Sequence, residues 1–237
     1  MIKHWLLAAR PKTLLATLSP VAIGTQMALV DGEFYLPAML VTLLCAMSIQ
    51  IGTNFCNDYC DFRQGADTES RKGPARAVQS GLISPRAMLI ATIIAFAITG
   101  GSAWLLYLRA GWPFLLLGAL SIFLGIAYTA GRFSLAYLGI ADPFVLIFFG
   151  PVAVAGTQYI QSLQFDAATI LAGLGPGLIS TGLLVVNNLR DIDEDRIANK
   201  RTLAVRFGVS FSRYQYAVCL LGAAIAAKTC LLDENLE

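Results

Sequence analysis

NFCNDYCDFRQGADTESRKGPARAVQSG, residues Asn54–Gly81, breaks sharply with the sequence before it. The run that begins at Tyr35 and leads into it carries no charge, as suits a helix surrounded by lipid. Asp58, Asp61 and Asp67 then follow within ten residues, and Arg71, Lys72 and Arg76 follow those. A lipid-buried helix that ends in clustered carboxylates needs something to compensate their charge.

Composition places the rest of the chain in the same setting. Of 237 residues, 57% are hydrophobic and only 14% charged, with a mean hydropathy of +0.66. Average soluble domains carry about 25% charged residues, so the chain is expected to be all-α, a polytopic transmembrane helical bundle. Seven apolar segments have the length a bilayer demands: Leu14–Val30, Tyr35–Phe55, Met88–Leu108, Trp112–Ala130, Asp142–Ile160, Ala167–Val186 and Tyr214–Leu232. Helices are the default there, because lipid supplies no hydrogen bonds to the backbone. Gly150-Pro151 and Gly175-Pro176-Gly177 mark kinks and close helix contacts in the fifth and sixth spans. No linker divides the chain, so residues 1–237 read as one domain. The first apolar run leads straight into further spans, without a small-residue cleavage site, and reads as a transmembrane helix instead of a signal peptide.

Orientation follows from the basic residues. With the N-terminus in the cytoplasm, all of the 17 lysines and arginines except Arg109 and Lys228 fall on the cytoplasmic side. That asymmetry predicts a multi-pass protein of the cell membrane with its two long loops inside. A net charge of +2 gives no reason to expect nucleic acid, and no obligate protein partner is implied. The lone histidine, His4, is badly placed for histidine-centred catalysis. Cys56 and Cys60 lack a second pair to complete a zinc site and read as small buried side chains.

Two polar motifs carry the chemistry. Asn54, Asp58 and Asp61 are spaced to share one helix face, Asn57 and Asp61 form a second i, i+4 pair, and Asp67 follows in the loop. VVNNLRDIDEDRIANKRTLAVRFG repeats the design near the other end: Asn187, Asp191 and Asp195 share a face, with Asn188 beside them. Both motifs close the C-terminal ends of parallel spans, where the helix dipole disfavours anions. Two carboxylates at 4 Å repel by about 4 kcal/mol at an effective dielectric near 20. A set of oxygen ligands alone suits Mg2+, which binds one or two carboxylates and shares a substrate phosphate. Arg71, Lys72 and Arg76 follow the first motif, and Arg196, Lys200 and Arg201 the second. Metal with Arg and Lys is a recurring arrangement for a diphosphate, although topology alone also accounts for loop cations.

NFCNDYCDFRQGAD, GPARAVQSG, YTAGRFSLAYLGIAD and NNLRDIDEDRIANKRTLAVRFG resemble the UbiA superfamily of intramembrane aromatic prenyltransferases, in particular its naphthoate-prenylating branch; ARPKTL near the start fits as well. The resemblance covers the whole chain. It implies that Mg2+, held by Asn54, Asp58 and Asp61 and by Asp191 and Asp195, binds a polyprenyl diphosphate. Asp58, Asp61, Asp191 and Asp195 are then the catalytic carboxylates. The implied acceptor is an aromatic acid, 1,4-dihydroxy-2-naphthoate, attacked at its carboxyl-bearing carbon with loss of CO2 and diphosphate to give demethylmenaquinone. Tyr128, Arg132 and Tyr137 are expected to flank the substrate cavity, and the bundle as a whole to contact membrane lipid. The family has nine helices, so the chain is expected to lack the last two. Acceptors such as 4-hydroxybenzoate or homogentisate fit the same motifs. A secondary transporter would also place polar residues among kinked helices, but nearer the bilayer midplane.

Overall fold

The computed structural model describes residues 1–65, 73, 76–131 and 134–233. Among these the chain is helical: α1 (Ile2–Ala9), α2 (Pro11–Val30), α3 (Leu36–Gln64), α4 (Pro85–Ala110), α5 (Pro113–Ala127), α6 (Leu135–Leu138), α7 (Ala141–Phe148), α8 (Pro151–Ser162), α9 (Ala168–Arg190), α10 (Ile192–Ile197) and α11 (Leu203–Asp233). Proline at the first or second position starts α2, α3, α4, α5 and α8, where its missing N–H costs nothing.

The span expectations need correction in detail. Among the described residues, five stretches are long and apolar enough to cross a membrane: α2, α3, α4, α7 with α8 taken together, and α9. The expected fourth span, Trp112–Ala130, is the shorter α5, whose 15 residues reach only about 22 Å. The expected seventh span lies within α11, which starts on the loop side at Leu203, bends at Gly208 and carries Arg206, Arg213 and Lys228 among its apolar residues. The fifth span is two helices, interrupted at Phe149–Gly150, at the kink expected from Gly150-Pro151.

The packing is that of a bundle in lipid. Large aliphatic and aromatic side chains point outward: Ile93 is 60% exposed, Leu108 64% and Phe123 64%. Small polar side chains fill the interior, among them Ser48, Thr92, Thr99, Thr157, Thr169 and Thr181. Lipid removes the hydrophobic reason to bury large residues, and small ones let helices approach. Gly24 shows how closely: a Cβ there would lie 2.5 Å from the Val154 carbonyl oxygen, so α2 can meet α8 only without a side chain. Thr99 accepts or donates across to Ser48 at 2.9 Å, tying α4 to α3. The helices pack in the order α5, α4, α3, α2, α8, α9, α11, with α7 also against α9.

α3 decides where the chemistry lies. Its 29 residues span about 43 Å against a hydrocarbon core of about 30 Å. The last turns, which hold Asn54 to Asp61, therefore emerge at one surface. The ends of α9 and α5 and the starts of α4, α7 and α11 meet at that same face.

Arg109, an exception to the charge asymmetry, has a structural task at the opposite face. Its Nε and Nη2 donate to the carbonyls of Ile160 and Gln161 at 2.6 and 2.7 Å, closing the C-terminal end of α8. Its guanidinium lies 4.0 Å over the Tyr35 ring, and the Tyr35 N–H donates to the Gln161 side-chain oxygen at 2.7 Å. Replacing Arg109 by Leu removes two charged-donor bonds and leaves two carbonyls unserved. We expect a stability loss of about 2–3 kcal/mol, read as a lower thermal midpoint in detergent, with the acidic face undisturbed.

Candidate active site

The acidic end of α3 is held from three sides. Trp5 of α1 packs edge-on against Phe55 at 5.5 Å, inside an apolar cluster with Ala8, Ala9, Ala77, Val78, Ile83 and Met88. The side-chain amide of Asn54 donates to the Ala9 carbonyl at 2.9 Å and to Thr13 Oγ1 at 3.0 Å. Arg10, at a left-handed φ of 53°, makes the corner between α1 and α2 and donates to Asn57 Oδ1 at 3.3 Å. Asn54 and Asn57 thus fasten the N-terminal corner to α3.

Asp58 and Asp61 are buried and differently compensated. Asp58 accepts the main-chain N–H groups of Ala77 and Val78 at 3.0 and 3.3 Å, which fixes the turn that follows the first motif. Asp61 is fully buried. Its Oδ2 accepts from Arg76 at 2.8 Å and its Oδ1 from Lys200 at 3.1 Å. Lys200 belongs to the loop after the second motif, so one carboxylate ties the two motifs together.

The second motif sits opposite. α9 ends at Arg190, and Asp191 leads into α10 with the helical bond from Asp195 N–H to the Asp191 carbonyl retained at 2.8 Å. Asp191 and Asp195 are both buried, while Asp193 faces outward and meets Arg196 at 3.6 Å with both side chains exposed. Arg190 grips Asp191 with two bonds, of 2.6 and 2.7 Å. Asn187 and Asn188 are half-buried one turn earlier. The loop beyond docks on the segment after α5: Arg201 N–H donates to the Tyr137 carbonyl at 2.9 Å and Arg206 to that of Leu138 at 2.6 Å. The Lys200 ammonium lies 5.4 Å over the Tyr137 ring. Gly139 makes this docking possible, because a Cβ there would run into the Arg201 carbonyl. Arg201 itself is exposed. Asp67, Arg71, Lys72 and Arg132 lie outside the described residues.

Beneath this polar rim is a cavity of about 240 Å3 with almost wholly apolar walls. It runs from Thr53 and Tyr128 beside the acidic motifs down to Leu106 and Phe114, with Leu124, Phe144 and Phe148 between. Eleven residues of α3 separate the lining residues Thr42 and Thr53, a depth of about 16 Å. Tyr128 stands at the mouth, within electrostatic range of Arg10, Asp61, Asp142 and Asp195. A charged rim over an apolar pit suits a ligand with an anionic head and a hydrocarbon tail.

Two features here were not anticipated. Arg10, in the sequence an orienting charge within ARPKTL, also ties the α1–α2 corner to Asn57. Asp142, the boundary of a span and the last residue of YTAGRFSLAYLGIAD, is a buried acid at the start of α7. An acid placed directly before the apolar run PFVLIFF was the available signal.

The donor set bears on a metal. Among the described residues no three acidic, histidine or cysteine side chains gather closely enough to hold an ion unaided. The candidate ligands are carboxylate and amide oxygens, and each carboxylate offers about four lone-pair sites. Asp58 and Asp61 therefore retain acceptor capacity beyond their present partners. One or two carboxylates from each motif, completed by ligand oxygens, fit Mg2+ better than any ion that needs a protein cage. Asp58→Asn tests the local part of this geometry. It should loosen the turn it holds and speed amide exchange at Ala77 and Val78 by about tenfold or more, since charged acceptors contribute about 1.5–3 kcal/mol.

Residues 17–233 match the UbiA prenyltransferase family. The chain is similar to the 1,4-dihydroxy-2-naphthoate octaprenyltransferase of Escherichia coli (strain K12), 38% identical over 238 residues that cover 98% of this chain and 76% of the relative. It resembles the enzyme of that name from Mycobacterium tuberculosis equally, 38% over 230 residues, covering 97% and 78%. Among solved structures, a UbiA homolog from Archaeoglobus fulgidus bound to GPP and Mg2+ superposes with a TM-score of 0.68 over 97% of this chain and 86% of that one. At 17% identity that likeness is one of fold.

Proposed function

Since the chain belongs to the UbiA prenyltransferase family, we propose that it transfers a polyprenyl chain from polyprenyl diphosphate to 1,4-dihydroxy-2-naphthoate, releasing diphosphate and CO2 in the membrane step of menaquinone synthesis. Similarity to naphthoate octaprenyltransferases at 36–38% identity runs over nearly the whole chain. The structural observation that carries the reading is the rim: two acidic motifs, linked through Asp61 and Lys200, over an apolar cavity. The protein is a multi-pass membrane protein, and the basic residues orient its N-terminus and acidic rim toward the cytoplasm.

In this reading Asp58, Asp61, Asp191 and Asp195 hold Mg2+ together with the diphosphate; Asn54, Asn57 and Asn188 stand beside them. Bound there, the metal neutralises charge on the departing diphosphate. Arg76 and Lys200, already placed on Asp61, turn to the same oxygens and stabilise the negative charge as the allylic C–O bond breaks. The aromatic side chains of Phe144, Phe148 and Tyr128 line the cavity where the allylic carbon carries positive charge. The apolar walls exclude water, which would otherwise capture that carbon. Tyr137 stays under the Lys200 ammonium and keeps it at the rim.

Purified protein supplied with Mg2+, octaprenyl diphosphate and each aromatic acid in turn should give a decarboxylated naphthoate product by mass. It should fall silent in EDTA and recover with Mg2+. Prenyl-4-hydroxybenzoate with its carboxyl retained, and no naphthoate product, would contradict the acceptor. Undiminished turnover in chelator would contradict the metal.

The two faces of α10 give a sharper contrast. Asp191→Asn and Asp195→Asn, on the buried face, should each lower kcat/KM by about 100-fold or more, the usual scale for losing a group that stabilises developing charge. Asp193→Asn, exposed on the other face, should stay within about twofold because solvent already screens it. Equal sensitivity at all three positions would refute the face assignment.

A further inference from the structure

The buried acids of the rim are not equally provided for. Asp58 has two main-chain N–H donors, Asp61 has Arg76 and Lys200, and Asp191 has Arg190. Asp142 is 8% exposed and meets no cation among the described residues. Its donors are neutral: Gln215 Nε2 on α11, at 2.7 Å to Oδ1, and its own main-chain N–H. Burying an acid with so little compensation costs free energy, and a position that keeps one calls for a functional reason. Its place gives the reason. Ala141, Phe144 and Val145, close to it on α7, line the cavity, while Asp142 itself reaches Gln215 on α11. Tyr128, at the cavity mouth, lies within electrostatic range of Asp142.

We propose that Asp142 is the proton acceptor for the aromatic substrate, receiving the hydrogen of the hydroxyl next to the carboxyl-bearing carbon, with Gln215 as the positioning residue that aims it. The assignment rests on the acceptor reading above. The ring carbon that bears the carboxyl forms a bond to the allylic carbon as diphosphate leaves with the C–O electron pair. The adjacent hydroxyl passes its proton to Asp142, and its O–H electrons become the second bond of a ketone. The carboxyl group now sits on a saturated carbon beside that ketone. It leaves as CO2, and its C–C electron pair flows onto the ketone oxygen. Asp142 returns the proton to that oxygen, giving the prenylated quinol with no net proton consumed. Decarboxylation needs no further catalytic group, because the ketone made by the first proton transfer is its electron sink. A buried acid without a cation suits this work: an ion pair would hold the carboxylate in its charged form and weaken it as a base.

The test uses the full chain in detergent with octaprenyl diphosphate, Mg2+ and either 1,4-dihydroxy-2-naphthoate or its 1-methoxy analogue. Asp142→Asn keeps the shape and can still accept from Gln215, but it cannot take a proton. Its kcat should fall about 100-fold or more, with the KM for the naphthoate within about threefold and an unchanged thermal midpoint. The methoxy analogue, which has no proton to give at that oxygen, should inhibit wild-type protein without being prenylated. Wild-type kcat in a folded Asp142→Asn variant would overturn the assignment while leaving the acceptor reading in place. Should that variant not fold, prenylation of the methoxy analogue at a rate within tenfold of the natural acceptor would overturn it equally. Wild-type protein that never turns over the naphthoate would overturn the acceptor reading, and this assignment with it.

Discussion

A fully buried aspartate between an arginine and a lysine holds the working end of this bundle together. Asp61 lies on the overlong α3, Arg76 in the turn after it, and Lys200 in the loop beyond α10. Removing one member of such a buried group is costly, since an uncompensated charge remains. The motifs are far apart in sequence and belong to helices that pack through others. This contact sets their separation at the rim, and the docking of residues 200–206 on residues 137–139 reinforces it. A site made of charges that already compensate one another can also receive a polyanion. Cations leave one set of oxygens for another, and no charge is left bare on the way.

The bilayer imposes the complementary constraint. A helix of 29 residues cannot hide its polar end in lipid, so the acidic motif must surface where a diphosphate head can reach it. Below the rim the cavity walls are largely apolar. Around them buried threonine, serine and glycine stand among small apolar residues and let helices approach closely enough to leave a shaped void between α2, α3, α4, α5, α7 and α8. An anionic head at the surface and a hydrocarbon tail in the void are two consequences of one geometry. The polar knot of Arg109, Tyr35 and Gln161 holds the far end of α8 and so the bottom of that geometry.

Much of this was readable from the chain because it rests on short-range periodicity. The spacing of Asn54, Asp58 and Asp61 and of Asp191 and Asp195 is helical, so their shared faces follow from sequence alone, and Asp193 is indeed turned away. The span boundaries were less readable, since hydropathy registers composition and not where a helix bends. It counted α5 as a full span, whereas Gly150-Pro151 did mark the break between α7 and α8. Long-range pairing was out of reach. Nothing near Lys200 in sequence indicates Asp61, and nothing near Arg109 indicates the end of α8. Spacing puts Asn54 on the face of the acidic motif, but it gives no sign that its side-chain N–H donates to Ala9 and Thr13, a contact set by how α1 folds back. Asp142 closes the YTAGRFSLAYLGIAD motif, yet its burial against Gln215, far along the chain, is revealed only by packing.

The central claim is that the two motifs form one site. The affinity of the protein for geranyl thiolodiphosphate, an unreactive mimic of a prenyl diphosphate, measured by calorimetry with Mg2+, tests it most directly. Wild-type protein, Asp61→Asn, Asp195→Asn and the double variant form a cycle. If both carboxylates serve one bound diphosphate, either substitution alone removes most of the affinity and the double variant binds little worse than the singles. Losses that simply add, as for independent sites, would contradict the account.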